Sequence, residues 1–188
     1  MSVVTARKWT RPKPGEWTVD DLAHLPDDGM RYELFDGALV VSPSPFPLHQ
    51  MSVAALYRLL FAACPADLIV LLSPIDFQPT KVRSFVPDLL VARRADVQPM
   101  AVLIAPPLLT VEVISRSSRK TDRESKREMY ATSGVDNYWI FDPQVPEFVA
   151  LARDGRKYIE VAAARDDERI TVERPYPVEI CPTEITAG

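Results

Sequence analysis

Several things are scarce in this sequence, and each scarcity removes a class of protein. There are only two cysteines, Cys64 and Cys181, in 188 residues. That is too few for a disulfide framework, and neither belongs to a CxxC or Cys/His pattern with metal-ligand spacing. A reducing, cytoplasmic setting follows as the expectation. No apolar run approaches the ~20 residues that span a bilayer, so no membrane role is expected. The opening "MSVVTARKWTRPKPGEW" lacks the continuous apolar core of a secretory signal. A basic surplus is also missing: 22 Lys and Arg stand against 26 Asp and Glu, a net charge of −4. Tight non-specific nucleic-acid binding normally rests on the opposite balance.

Charge is nevertheless unevenly placed. Arg7, Lys8, Arg11 and Lys13 make the N-terminal arm basic, and Arg116, Arg119, Lys120, Arg123, Lys126 and Arg127 crowd one later segment. A local basic rim is compatible with global acidity. Composition is otherwise that of an ordinary globular chain, 47% hydrophobic and 26% charged. A chain of this length fits one domain that buries roughly 70% of its unfolded surface.

Proline is plentiful, and the 18 prolines punctuate the elements. Residues 1–17 read as an irregular arm and 18–188 as a single domain. "TVDDLAHL" predicts a short helix capped by Thr18 with acids in its first turn. "YELFDGALVVS" predicts a hairpin turning at Asp36-Gly37. In "HQMSVAALYRLLFAAC", Val53, Leu56, Tyr57, Leu60, Phe61 and Cys64 form the stripe of a helix packed on one side, stopped by Pro65. Residues 67–73, 75–78 and 87–92 have strand character, and "LLTVEVIS" (108–115) is the most β-like stretch. The charged run after it is expected to be helical up to Ser133, with Gly134 in the left-handed position that ends a helix. "NYWIFD" reads as a strand, "EFVALAR-DG-RKYIEVAA" as a second Asp-Gly hairpin, and "RITVERPYPVEI" as an extended tail. This order describes a mixed α/β (α+β) domain.

Three of the expected strands each carry one acid. In "TVEVI", Glu112 shares a face with Thr110 and Ile114, while Val111 and Val113 point the other way. Asp88 shares its face with Leu90 and Ala92, and Glu33 lies between Tyr32 and Leu34. An acid near a strand end ordinarily faces solvent or caps a turn, and Asp88 after Pro87 fits that description. Glu112 does not, having apolar neighbours on both sides. A buried carboxylate is costly unless it is paired or bound to a metal, and three together suit a shared divalent ion. In the following helix, Asp122 and Lys126 have the spacing of a surface ion pair worth about 0.2–0.5 kcal/mol. Most of that run reads as a solvated face. Lys126, however, is at helical spacing from Met129 and Tyr130, which points it toward the strand carrying Glu112.

With these residues in place, "RYELFDGALVVSPSPFPLHQ", "VPDLLVARR", "LTVEVISRSS" and "TDRESKREMYATSGVDNYWIFDP" resemble, in order, the PD-(D/E)XK nuclease superfamily. More closely they resemble the bacterial restriction-endonuclease-like family often called Uma. The resemblance implies a restriction-endonuclease-like mixed central sheet flanked by helices, with added N- and C-terminal hairpins. It makes Asp88 and Glu112 the metal-binding acids, with Glu33 as an additional one, and His49 a histidine near the site. The parent superfamily's lysine position is Ile114 here, and the family's pattern puts the lysine at Lys126 instead. Arg116 departs from a common proline. The implied activity is Mg²⁺-dependent (or Mn²⁺-dependent) DNA endonuclease, acting as a homodimer for which the apolar hairpin near 147–162 offers an interface. Two other readings compete: a nuclease fold used only for binding or assembly, and a hydrolase of a small phosphodiester.

Overall fold

The computed structural model describes residues 9–115, 118, 119 and 121–187. Arg7, Lys8, Arg116 and Lys120 lie outside the described residues. Residues 9–17 contain neither helix nor strand. The chain then forms α1 (Val19–Leu22), β1 (Arg31–Phe35), β2 (Ala38–Ser42), α2 (Pro47–Ala63), β3 (Leu68–Leu72), β4 (Phe77–Thr80), β5 (Arg83–Phe85), β6 (Leu89–Arg93) and β7 (Leu109–Val113). A π-helical turn, Thr121–Ser125, leads into α3 (Lys126–Thr132). It is followed by β8 (Asn137–Asp142), β9 (Glu147–Asp154), β10 (Lys157–Arg165), β11 (Ile170–Val172), β12 (Val178–Ile180) and α4 (Pro182–Ala187).

Local chemistry explains most of these boundaries. Thr18 caps α1, its N–H and hydroxyl both donating to the Asp21 carboxylate at 2.9 and 2.7 Å. Asp36 and Gly37 both take positive φ, 49° and 81°, as a two-residue type I′ turn requires. Glycine is needed at 37 for a second reason: a Cβ there would sit 2.4 Å from the Gly15 carbonyl oxygen. Pro47 occupies the first turn of α2, where a missing N–H costs nothing. Gly134, at φ 87°, ends α3 as the sequence predicts. In the second hairpin the turn is Gly155-Arg156, because Asp154 still pairs with Lys157. The expected Asp-Gly turn is therefore shifted by one residue, with Gly155 taking the positive φ of 62°.

The main sheet has six strands in the order β10-β9-β8-β7-β6-β3. All neighbours are antiparallel except β7 and β8, whose parallel pairing is joined by the crossover through α3. A second sheet, β2-β1-β5-β4, packs beside it, and β11 and β12 form a ribbon of their own. The sequence reading missed β5 and took the tail as one extended stretch, whereas it folds into β11, β12 and α4.

Strand alternation sorts the core into two layers. Leu89, Val91, Val111, Val113, Trp139 and Phe141 face α2, α4 and the ribbon. Leu90, Ala92, Ile114, Tyr138 and Ile140 face the other way, toward Phe77, Phe85 and Tyr130. The stripe on α2 is turned relative to expectation: His49, Ser52, Val53, Leu56 and Leu60 are buried. Phe61 is 61% exposed and stacks on Tyr57 at 5.5 Å. Among the described residues no helix is long and apolar enough to cross a membrane.

Candidate active site

Glu112 lies in β7, an interior strand, and only 1% of it reaches solvent. Its partners come from α3. Lys126 Nζ is 2.8 Å from Glu112 Oε1, and the Tyr130 hydroxyl donates to the same oxygen at 2.7 Å. Tyr130 is anchored between Phe85 and Tyr138, each ring centroid 5.1 Å away. One helical turn earlier, Lys126 must therefore point at the sheet. Its ammonium also lies 3.3 Å from Glu33 Oε1 and 3.6 Å from Asp122 Oδ1. Glu33 is fixed by the Val86 N–H, which donates at 3.0 Å.

Asp88 joins the cluster by register. Leu89 pairs with Val111 and Leu90 with Thr110, so one step further Asp88 comes opposite Glu112. Its Oδ2 accepts the Val113 N–H at 2.9 Å and lies 3.1 Å from His49 Nε2. Its Oδ1 accepts from Arg31 Nη1 at 3.0 Å. All five residues expected from the sequence thus meet in one place, with His49 on Asp88. Ile114 is buried and has no part in the charge network.

Two further members escaped the sequence reading. Asp122 is not half of a surface pair: it is 1% exposed, and among the described residues its buried carboxylate oxygens accept no geometrically good hydrogen bond. It lies one turn before Lys126, so the bearing that sends the lysine inward could have found it. Arg31 lies two residues before Glu33 on the same strand face, which alternation alone could have shown. The charged run is also less solvated than expected. Arg119 and Arg123 turn onto fully buried Asp142 at the end of β8.

The electrostatics are those of acids crowded out of water. Burial pushes the Glu112 carboxyl up to about 8; Lys126 opposes the rise, while Asp122, Asp88 and Glu33 add to it. Burial likewise raises Asp122 against the pull of Lys126. Burial alone would lower the Lys126 ammonium, but Glu112, Glu33 and Asp122 outweigh it and keep it protonated. Asp88 goes the other way: burial would raise it, yet His49, Arg31 and Lys126 hold it below the ordinary carboxylate range. One consequence is testable. A Glu112 carboxyl raised from 4.5 to about 8 on folding favours the folded state at low pH, and that contribution drains away as pH rises through this window. The melting temperature is expected to fall less steeply between pH 5 and 8 in Glu112→Gln than in the parent, as calorimetry would show.

The donor set fits a hard divalent cation. Four carboxylates, Glu33, Asp88, Glu112 and Asp122, face the permanent cations Lys126 and Arg31, and the Asp122 carboxylate is buried with Lys126 no nearer than 3.6 Å. Among the described residues no group of three His, Cys, Asp or Glu side chains is already arranged to hold a metal; Arg31 and Lys126 lie on oxygens of Asp88, Glu33 and Glu112. Magnesium, however, commonly takes one or two carboxylates plus water and phosphate oxygens, and Asp88 and Glu112 supply such a pair. A cleft of about 840 Å³, lined in part by Arg31, Gln50, Tyr57, Arg58 and Asp76, reaches Asp88.

A family model named Uma2, described as "Putative restriction endonuclease", matches residues 19–185. The chain belongs to the Uma2 family. Among solved structures it is similar to "a putative nuclease belonging to DUF820 from Anabaena variabilis ATCC 29413", with 17% identity and a TM-score of 0.70. That likeness covers 90% of this chain and 97% of the other, and at this identity it establishes the fold. No curated protein matches the chain. The Uma resemblance read from the motifs is confirmed, as is the mixed sheet flanked by helices.

Proposed function

We propose that this Uma2 protein is a Mg²⁺-dependent endonuclease that hydrolyses DNA phosphodiester bonds. The observation that carries the reading is the facing pair Asp88 and Glu112 on adjacent strands, with the Lys126 ammonium 2.8 Å from Glu112. Asp88 and Glu112 would hold the ion, with Glu33 beside them. Bound there, Mg²⁺ (or Mn²⁺) would polarise the phosphodiester and lower the pKa of a coordinated water. The remaining work belongs to the chain. Lys126, kept charged by its acids, neutralises charge building on the phosphate and orients the attacking water. His49 and the Val113 N–H fix the Asp88 carboxylate so that it presents its other oxygen outward. Burial keeps bulk water from weakening these contacts.

The nuclease family and the nuclease-like neighbour support this reading. Supercoiled plasmid is expected to be nicked in Mg²⁺ or Mn²⁺ and to stay intact in EDTA. The binding-module reading draws on one observation, that Lys126 and Arg31 already neutralise much of the acid charge. Folded protein that leaves plasmid intact across metals and salt concentrations would favour it. The cleft is within the size range of small-ligand pockets, so dinucleotides belong in the same assay. Cleavage of dinucleotides alone would point to the small-phosphodiester reading. The homodimer remains part of the proposal: Ile159 and Val161 are half-exposed on edge strand β10, where a second copy would cover them.

A further inference from the structure

The outermost cation of the site is Arg31, and its surroundings differ from those of Lys126. Only 3% of the Lys126 side chain is exposed, against 23% for Arg31, which also lines the cleft. Asp88 has one oxygen held from within, by a backbone N–H and His49, and one held, among the described residues, only by Arg31. That last contact is a single bond, Nη1 to Oδ1, and not the two-pronged grip a guanidinium can make with a carboxylate. Arg31 Nε is meanwhile buried without a hydrogen-bond partner among the described residues. The acids Glu112, Asp88 and Glu33 all act on its charge. Arg31 is thus a cation with unused donors, standing between the acids and open space.

We propose that Arg31 is a phosphate-binding residue, occupying Asp88 Oδ1 until a divalent cation takes that oxygen and then gripping the phosphate of a strand in the cleft. This rests on the reading of Asp88 and Glu112 as the metal-holding pair. A cation arriving at Asp88 repels the guanidinium at short range. A phosphate offers the displaced fork the bidentate anion that it lacks in the resting site. Metal and strand then assist each other's binding, and the assistance is reciprocal.

The test uses the whole protein and two ligands. Mn²⁺ is titrated by calorimetry without nucleic acid, and a short fluorescent phosphorothioate oligonucleotide is titrated by anisotropy in EDTA and in Ca²⁺. Arg31→Met is expected to bind Mn²⁺ about tenfold tighter and, in Ca²⁺, the oligonucleotide about tenfold weaker, with little change in EDTA, within the range of ordinary coupled sites. Arg31→Lys keeps the charge on Asp88 and so protects the fold. It is expected to bind Mn²⁺ nearly as the parent does, yet lose several-fold in oligonucleotide affinity because the fork is gone. Unchanged or weaker Mn²⁺ binding in Arg31→Met overturns the proposal, as does undiminished oligonucleotide binding in Ca²⁺ by either variant. Asp88→Asn separates the two readings. If it binds Mn²⁺ as well as the parent, the metal sits elsewhere and both readings fall. If it loses Mn²⁺ while Arg31→Met gains nothing, only the role of Arg31 falls.

Discussion

Replacing Lys126 with methionine is expected to destabilise the fold by about 3–5 kcal/mol, the range for removing one partner of a buried charge network. For a chain of this size that is a fall of roughly 10 °C or more in melting temperature. The reason is geometric: one ammonium serves Glu112, Glu33 and Asp122, at 2.8, 3.3 and 3.6 Å. Without it, three buried carboxylates have one another for company. The folded-state pKa values of Glu112 and Asp122 rise further, so the variant should gain stability as pH falls from about 8 toward 4.5 and lose it as pH rises. A divalent cation should do at neutral pH what protons do in acid. Mn²⁺ is therefore expected to raise the melting temperature of Lys126→Met more than that of the parent. Under the proposed mechanism plasmid cleavage should nevertheless be lost, since the ion would replace the lysine's charge but not its proposed part in orienting the attacking water. A variant that cleaves normally would hand the role to another residue, with His49 the first to examine.

Asp88→Asn is expected to have the largest effect on activity. Removing an outer partner of a metal ligand commonly costs about 10–100-fold, and losing the ligand itself should exceed that. Cleavage should fall below detection, and the rise in melting temperature on adding Mg²⁺ or Mn²⁺ should vanish with it. Stability should also fall at neutral pH: the asparagine carbonyl can still accept the Val113 N–H, but the charge paired with Arg31 is gone. At acid pH the two proteins should converge. The Asp88 carboxyl is held below its unfolded value, so its contribution is present above about 3.8 and lost as pH falls through the folded pKa. A metal-dependent rise that survives in Asp88→Asn places the ion away from this carboxylate.

Much of the site could be read from the sequence because β-strands obey a strict alternation. Glu112 in "TVEVI" had to share a face with Ile114, and it does. Lys126 had to follow the bearing of Tyr130, and it does. Register between strands is a tertiary fact, however, and no local pattern announces that Asp88 stops opposite Glu112. Asp122 was misread for a related reason. An acid and a lysine four apart look alike on a solvated face and on a buried one, and only the packing of Tyr130 separates the cases. The arginines of the same run were misjudged because their partner, Asp142, closes a strand far along the chain. Strand β5, three residues long, is too short to leave a periodic signature.

A divalent ion between the facing carboxylates of Asp88 and Glu112 is the centre of the proposed mechanism. A crystal soaked in Mn²⁺, with data collected for anomalous scattering, examines that claim most directly. The expected result is a single strong peak bridging Asp88 and Glu112, with the Arg31 guanidinium moved off Asp88 Oδ1. A peak elsewhere, or no peak while Arg31 and Lys126 still hold the acids, would contradict it.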